Sequence, residues 1–219
     1  MESENMIYSQ DASLVYMDQG REIFAVNSVN IEIAEGEFVG ILGPSGSGKS
    51  SLLYLLSGLK TPSSGEIVYQ SKTLNAMNDL ERAQIRLKDF GFVFQYPYLL
   101  GYLSALENIV AARPDQPSED EAKRLLEALG LGAKSHRYPH EMSGGERQRV
   151  CVARALLGSP KIIFADEPTA SLDHTNGIQV VSMLNDFRGD GALIMVTHDE
   201  SMLENADRII RIDSGIIKS

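Results

Sequence analysis

Gly43-Pro44-Ser45-Gly46-Ser47-Gly48-Lys49-Ser50 constrains this chain more than any other stretch. Upstream, Phe38-Val39-Gly40-Ile41-Leu42 is a short apolar run that reads as a buried strand. Downstream, Lys49 to Ser57 reads as a helix closed by Gly58. A strand, a glycine-rich turn ending in Lys-Ser, and a helix together make a phosphate loop. The glycines let backbone N–H groups turn inward around phosphate oxygens, and the helix N-terminus adds the positive end of its dipole. Lys49 can reach the β- and γ-phosphates, and Ser50 can ligate Mg²⁺. Alone, the motif implies a nucleoside triphosphate and nothing narrower, because kinases and GTPases share it.

The rest of the chain supplies the fold such a loop needs. Ile67-Val68-Tyr69, Gly91-Phe92-Val93-Phe94, Ile162-Ile163-Phe164-Ala165, Leu193-Ile194-Met195-Val196 and Arg208-Ile209-Ile210-Arg211-Ile212 read as strands. Asp213-Ser214-Gly215 turns into Ile216-Ile217. Strands with helices between them predict an α/β fold on a parallel sheet. The early chain, to about Gln70, differs: Val29-Asn30-Ile31-Glu32-Ile33 alternates strictly, as a half-exposed antiparallel strand does. From about Tyr96 to Gly158 the pattern is mostly helical. There Ser118 and Glu121 form a capping box, with Pro114 and Pro117 in the loop before it. Leu125, Leu126 and Leu129 make the apolar stripe, and Gly130 stops the helix. The chain thus reads as a nucleotide-type α/β core, a small antiparallel sheet and an inserted helical lobe. Its 219 residues suit one large domain or one domain with such a lobe.

Two further stretches carry chemistry. Asp166 and Glu167 follow four apolar residues. A buried strand would hold Asp166 at its C-terminal end, facing the loop's magnesium directly or through water. Glu167, one residue on, can orient and deprotonate an attacking water; the alternative is a strand end with a solvated acidic pair. Ser143-Gly144-Gly145-Glu146 is a capping box at the start of a helix through Arg147, Val150, Cys151 and Ala155. Two glycines in a first turn weaken a helix, which makes sense where a phosphate must approach the backbone closely; the alternative is a plain helix start.

With these stretches in order, the sequence resembles the ATP-binding subunit of ABC transporters over nearly its whole length. Met142-Ser143-Gly144-Gly145-Glu146 is similar to that family's signature motif, with Met142 for the common leucine and Glu146 for the commonest glutamine. Gln95 matches the Q-loop glutamine, Ser171-Leu172-Asp173 the D-loop, His198 the switch histidine, and Tyr16 the aromatic that stacks on adenine. The resemblance implies a P-loop NTPase (RecA-like) α/β core over 1–95 and 159–219, with an antiparallel β-subdomain. It places an inserted α-helical subdomain carrying the signature at 96–158.

It also implies a homodimer in the ATP-bound state, head to tail around two ATP molecules. Ser45, Gly46, Ser47, Gly48, Lys49, Ser50, Ser51 and Tyr16 would contact ATP on one protomer, and Ser143, Gly144, Gly145 and Asp173 from the other. Ser50, Gln95 and Asp166 would serve Mg²⁺; Glu167, Gln95 and His198 would carry hydrolysis. The aromatic and leucine-rich run Tyr96 to Leu103 reads equally as core filler, while the resemblance implies that it borders the groove that receives a permease's coupling helix.

The subfamily reading follows the motifs. The stretches from Ser143 to Val150, Ala165 to Asp173 and Gly43 to Ser51 are similar to the lipoprotein-release and macrolide-export group. The gap from Gln95 to Ser143 is 48 residues (143 − 95), shorter than is usual for lipoprotein release and similar to bacterial haem-efflux ATPases. The expectation is export of an amphiphilic or hydrophobic substrate (haem, a peptide or antibiotic, or a lipoprotein) through a separate transmembrane permease, two copies in the full transporter. A regulatory ATPase driving a membrane protein that controls cell-wall enzymes is the alternative. A DNA-repair or chromosome ABC ATPase fits worse: no sustained heptads lie between Lys49 and Ser143, and the net charge is −10. No nucleic-acid partner is expected.

Other residues read as ordinary. Cys151, the one cysteine, excludes an intrachain disulfide and reads as a small buried core residue. His136 and His140 flank Pro139, so a helical metal pair is not expected, and His174 reads as a surface residue. Arg82, Arg86 and Lys88 read as a solvated helix face. With no basic n-region before Arg21 and no apolar run of spanning length, the chain reads as soluble, placed at the cytoplasmic membrane face by its permease.

Overall fold

The computed structural model describes residues 5–115 and 118–218; the predicted loop residue Pro117 lies outside them. In chain order the elements are β1 (Asn5–Asp18), β2 (Arg21–Ala34), β3 (Phe38–Leu42), α1 (Lys49–Leu56), β4 (Ser64–Tyr69), β5 (Lys72–Thr73) and α2 (Asp79–Asp89). Then come β6 (Phe90–Val93), α3 (Ala105–Val110), α4 (Glu119–Ala128), α5 (Gly144–Leu156), β7 (Ile162–Asp166), α6 (His174–Phe187), β8 (Ala192–Thr197), β9 (Arg208–Asp213) and β10 (Ile216–Lys218). Every strand read from the sequence is present. The chain divides into two compact units, one running to Arg86 and resuming at Ile194, the other Leu87–Leu193. Among the described residues no helix is long and apolar enough to cross a membrane.

The first unit holds an antiparallel sheet in the order β2-β1-β4-β5. β1 and β2 meet through Gln19-Gly20, both at positive φ (47° and 81°), the two-residue turn whose twist suits a hairpin. Along β2, Val29, Ile31 and Ile33 are buried while Asn30 and Glu32 are exposed, as the alternation predicts. β3 is buried at all five positions and pairs in parallel with β9, from which β10 returns antiparallel. α1 buries Leu52, Leu53, Leu55 and Leu56 along with Lys49.

α2 departs from the solvated face read for it. The Arg82 guanidinium donates from Nη1 to Met77 O (2.6 Å), and Arg86 Nη1 donates to Gly58 O (2.9 Å) just past α1. Burial lowers the Arg86 pKa from its ordinary value, with neighbouring Arg82 adding to the effect. Arg86 turns inward because the C-terminus of α1 leaves carbonyls in need of donors and α1 has no basic residue in its last turn, whereas Arg82 reaches a carbonyl just before its own helix.

In the second unit β6 and β7 pair in parallel, Val93 opposite Ala165. Phe164 stacks on Phe92 (5.6 Å between centroids) and meets Phe90 edge-on (5.0 Å). α5 lies close on β6 because Gly91 has no side chain: a Cβ there would stand 2.3 Å from Ala155 O. The helical region read from Tyr96 to Gly158 contains α3, α4 and α5, but residues 94–104 before α3 carry no regular helix. Ser118 caps α4 by accepting from Glu121 N (3.3 Å). The capping box is only half made, since the Glu121 carboxylate instead accepts from Gly158 N (2.8 Å), 37 residues on.

Candidate nucleotide site

In the first unit the phosphate loop is braced from outside. Gly215 N donates to Ser47 O (2.8 Å), and Gly215 O accepts from Asn27 N (2.8 Å). Two glycines are required here by close approach. A Cβ on Gly43 would stand 2.2 Å from Ile212 O, and one on Gly48 would stand 2.1 Å from Ala25 O. Gly48, the N-cap of α1 at φ 101°, offers no side chain to cap the helix. Gly48→Ala therefore meets both a backbone clash and a left-handed conformation, and it should cost about 2 kcal/mol. For a chain of this size that is a fall in Tm of roughly 4–8 °C, readable in a thermal melt.

Inside the loop Lys49 is only 5% exposed, and its ammonium donates to Gly43 O (2.9 Å) and Pro44 O (3.0 Å). Ser47 Oγ is buried without a hydrogen-bond partner among the described residues. Ser45 and Gly46 are exposed, and nothing lies within 4 Å of a Cβ built at Gly46. A cation held at a helix N-terminus, an orphaned hydroxyl and an open glycine cradle fit a phosphate chain. Ser50 and Ser51 are half-buried in the first turn of α1. Tyr16 stands near the tip of the β1–β2 hairpin opposite Ile23, with Met17, Ile23 and Phe24 also exposed, an apolar surface suited to a base. His198 is exposed directly after β8.

In the second unit Asp166 ends β7 and is buried, with Glu167 half-buried one residue later at φ 46°. Glu167 O accepts from Ala170 N (3.2 Å), which helps hold this conformation. A non-glycine residue held left-handed at a strand end marks a position whose direction matters. Gln95 is exposed two residues past Val93, so Gln95 and Asp166 follow the C-terminal ends of paired parallel strands. Asp166 with Gln95 suits Mg²⁺, which is bound by few carboxylates and completes its shell with phosphate and water. Among the described residues no cluster of three or more His, Cys, Asp or Glu could hold a metal by itself.

The same unit brings the predicted signature and D-loop together. Ser143 caps α5 with a complete box: Ser143 Oγ accepts from Glu146 N (3.3 Å), and the Glu146 carboxylate accepts from Ser143 N (2.9 Å). A Cβ on Gly145 would lie 3.8 Å from Asn176 of α6. Asp173 caps α6, accepting from Asn176 N (3.1 Å) and Asn176 Nδ2 (2.6 Å), and these bonds lower its pKa from the ordinary value. Thus Asp173 is exposed, but both its oxygens are already engaged within the chain. His174 begins α6 at the surface, as read.

Glu146 carries a hydrogen bond from the Lys134 ammonium, the main reason its pKa falls from 4.5 to about 2, with the Ser143 N–H adding to it. Because the folded value is depressed, its contribution to stability is present above pH 4.5 and is lost as pH falls toward about 2. Glu146→Gln should therefore flatten the acid limb of a stability-versus-pH curve below pH 4.5, measured by denaturant melts. Neither Lys134 nor the Asn27–Gly215 brace was singled out from sequence. The only trace of the brace is the glycine in the β9–β10 turn.

The model of the ABC transporter family matches residues 26–170. An uncharacterised ABC transporter ATP-binding protein of Methanocaldococcus jannaschii is 43% identical over 97% of both chains. A protein of Staphylococcus epidermidis named as a putative hemin import ATP-binding protein is 39% identical over 96% of this chain and 97% of its own. The lipoprotein-releasing system ATP-binding protein of Shewanella denitrificans is 36% identical over 98% and 95%. A solved cassette, MJ0796, a dimer in a post-hydrolysis state bound to ADP and Pi, superposes with a TM-score of 0.89 at 34% identity, covering 98% of this chain and 97% of that one. A phosphate loop whose Ser47 hydroxyl is orphaned, a strand-end Asp-Glu pair, a signature helix start and these relatives all agree: the chain belongs to the ABC transporter family and is one of its ATPases.

Proposed function

We propose that this chain hydrolyses ATP as a head-to-tail homodimer and thereby drives a separate membrane permease exporting an amphiphilic or hydrophobic substrate. The observation that carries it is the pairing of two anion-ready helix starts in one chain. One is the Gly48–Lys49 start of α1; the other is the glycine start of α5 at Ser143–Gly145. Each would serve a different face of one nucleotide when two protomers meet. The solved relative is described as a dimeric cassette, which supports this.

In this reading Lys49 and the loop N–H groups bind the phosphates, while Tyr16 receives the adenine. Glu167 takes the proton of the attacking water, Gln95 and His198 position it, and Ser143 to Gly145 reach the γ-phosphate from the partner protomer. Asp173 acts there through the α6 cap it forms. Mg²⁺, served by Ser50, Gln95 and Asp166, supplies neutralisation of charge on the phosphate oxygens. The work is positioning and electrostatic stabilisation rather than covalent chemistry.

Haem or a lipoprotein is the proposed cargo class, supported by the names of the staphylococcal and Shewanella relatives. The direction is taken as export from the resemblance to the lipoprotein-release, macrolide-export and haem-efflux groups, although the staphylococcal name says import. The helical subdomain is taken as 96–158, and the chain as peripheral to the cytoplasmic face through its permease. The test is reconstitution in proteoliposomes with the permease encoded beside this gene. ATP-dependent loss of haem or lipoprotein from the bilayer supports the reading. Movement of neither in either direction, with ATPase activity intact, favours the regulatory alternative in which cell-wall enzymes are controlled.

A further inference from the structure

Residues 94–104 carry no regular helix, yet the first part of this segment is held at its backbone by one face of α5. Gln148 Nε2 donates to Phe94 O (3.1 Å). The Cys151 thiol donates to Pro97 O (3.0 Å). Arg154 donates from Nη2 to Pro97 O (2.9 Å) and from Nη1 to Tyr98 O (3.0 Å). Positions 148, 151 and 154 recur every three residues and so form one stripe on the helix. Arg154 Nη2 also donates to Cys151 Sγ (3.6 Å), tying two of the donors together. Burial pushes the Cys151 thiol up to about 11, so it keeps the proton it donates.

Three more observations fix the register of this grip. Tyr98 sits at φ 43°, a strained conformation for a bulky residue, and Arg154 bonds its carbonyl. The absent side chain of Gly91 sets α5 against β6, the strand that leads into the segment. An aromatic series runs from Phe164 on β7 to Phe92 (5.6 Å), Phe94 (5.8 Å), Tyr98 (5.9 Å) and Tyr96 (6.3 Å). At its outer end Tyr96 and Tyr98 are 62% and 69% exposed, and Tyr102, further along the chain, is 75% exposed. Gln95 lies inside the gripped stretch, and the N-terminus of the gripping helix is Ser143–Gly145.

We propose that Gln148, Cys151 and Arg154 are positioning residues that lock residues 94–98 to α5. Gln95 and the exposed tyrosine face then move with the signature helix as one body. A displacement of α5 at its phosphate-facing start must shift Gln95 and the tyrosines or break four hydrogen bonds. The inference rests on the reading of Gln95 as a hydrolytic group, and the test separates the two.

The experiment uses the full chain. Amide hydrogen exchange is followed without nucleotide, and ATP hydrolysis is measured in parallel. Arg154→Ala should speed exchange in residues 95–102 about tenfold, leaving β3 and α6 unchanged. Its kcat should fall between about tenfold and a hundredfold, with KM for ATP within about twofold, because the phosphate loop is untouched. Cys151→Ser, which keeps an O–H donor, should behave as the parent, whereas Cys151→Ala should loosen the segment. Gln95→Ala is the control for the underlying reading: an unchanged kcat there overturns the role of Gln95. If Gln95→Ala is slow but Arg154→Ala matches the parent in exchange and kcat, the lock is overturned. Exchange raised evenly across the chain in Arg154→Ala also overturns it. Should Arg154→Ala not fold, the Cys151→Ala and Cys151→Ser pair decides by the same readouts.

Discussion

Glu167→Gln should bind ATP as the parent does and yet lose turnover by about 10²–10⁴-fold, the usual worth of a positioned general base. Glutamine has the shape of glutamate, and the left-handed conformation at this position (φ 46°) strains both about equally. The Ala170 N–H bond to the residue 167 carbonyl is a backbone bond and survives. The bonds that shape the phosphate loop at Lys49, Ser47 and the glycines do not involve Glu167, so nucleotide binding should be retained. In the proposed reading the loss that matters is the carboxylate that accepts a proton from water. Phosphate release and binding of a fluorescent nucleotide, measured on the same preparation, separate the two quantities. Near-normal turnover would remove Glu167 from the hydrolytic role.

Ser143→Arg should abolish ATP-dependent dimerisation and lower hydrolysis by about a hundredfold or more. Ser143 is exposed at the start of α5, where a second protomer's phosphates are proposed to arrive. An arginine there adds bulk at that proposed contact and removes the cap on Glu146 N. Loss of a cap costs about 1 kcal/mol, too little to unfold a chain of this size. Ser143→Ala removes the cap without the bulk and is the matching control for stability. Light scattering with and without ATP, in the Glu167→Gln background to hold the bound state, reads the association. A Ser143→Arg chain that still dimerises with ATP and hydrolyses it normally would contradict the head-to-tail arrangement.

Much of the candidate site was legible because its signals are local. The phosphate loop is eight consecutive residues, the Asp166-Glu167 pair ends a continuous apolar run, and the Ser143 box closes within four residues. In each, the atoms that interact are neighbours in the chain, so spacing and residue type determine the geometry. The α4 box shows where that logic stops. Its Ser118 half formed, but Glu121 found a better partner 37 residues away in Gly158 N. Arg86 shows the same limit, since charge on an amphipathic helix says nothing about an unfilled carbonyl at the end of another helix.

The sequence alone determined the nucleotide class, the strand ends that present carboxylates and the two glycine helix starts. These depend on backbone conformation within a few residues, which glycine, serine and apolar patterning dictate. Only the tertiary structure decided how those pieces are held. Ser47 is braced by Gly215 and Asn27, and the Gln95 segment is gripped by Gln148, Cys151 and Arg154 from more than fifty residues away. All of these bonds end on backbone carbonyls that every residue possesses. They leave no residue-type signature at the accepting end, and they exist only once packing has brought the two segments together.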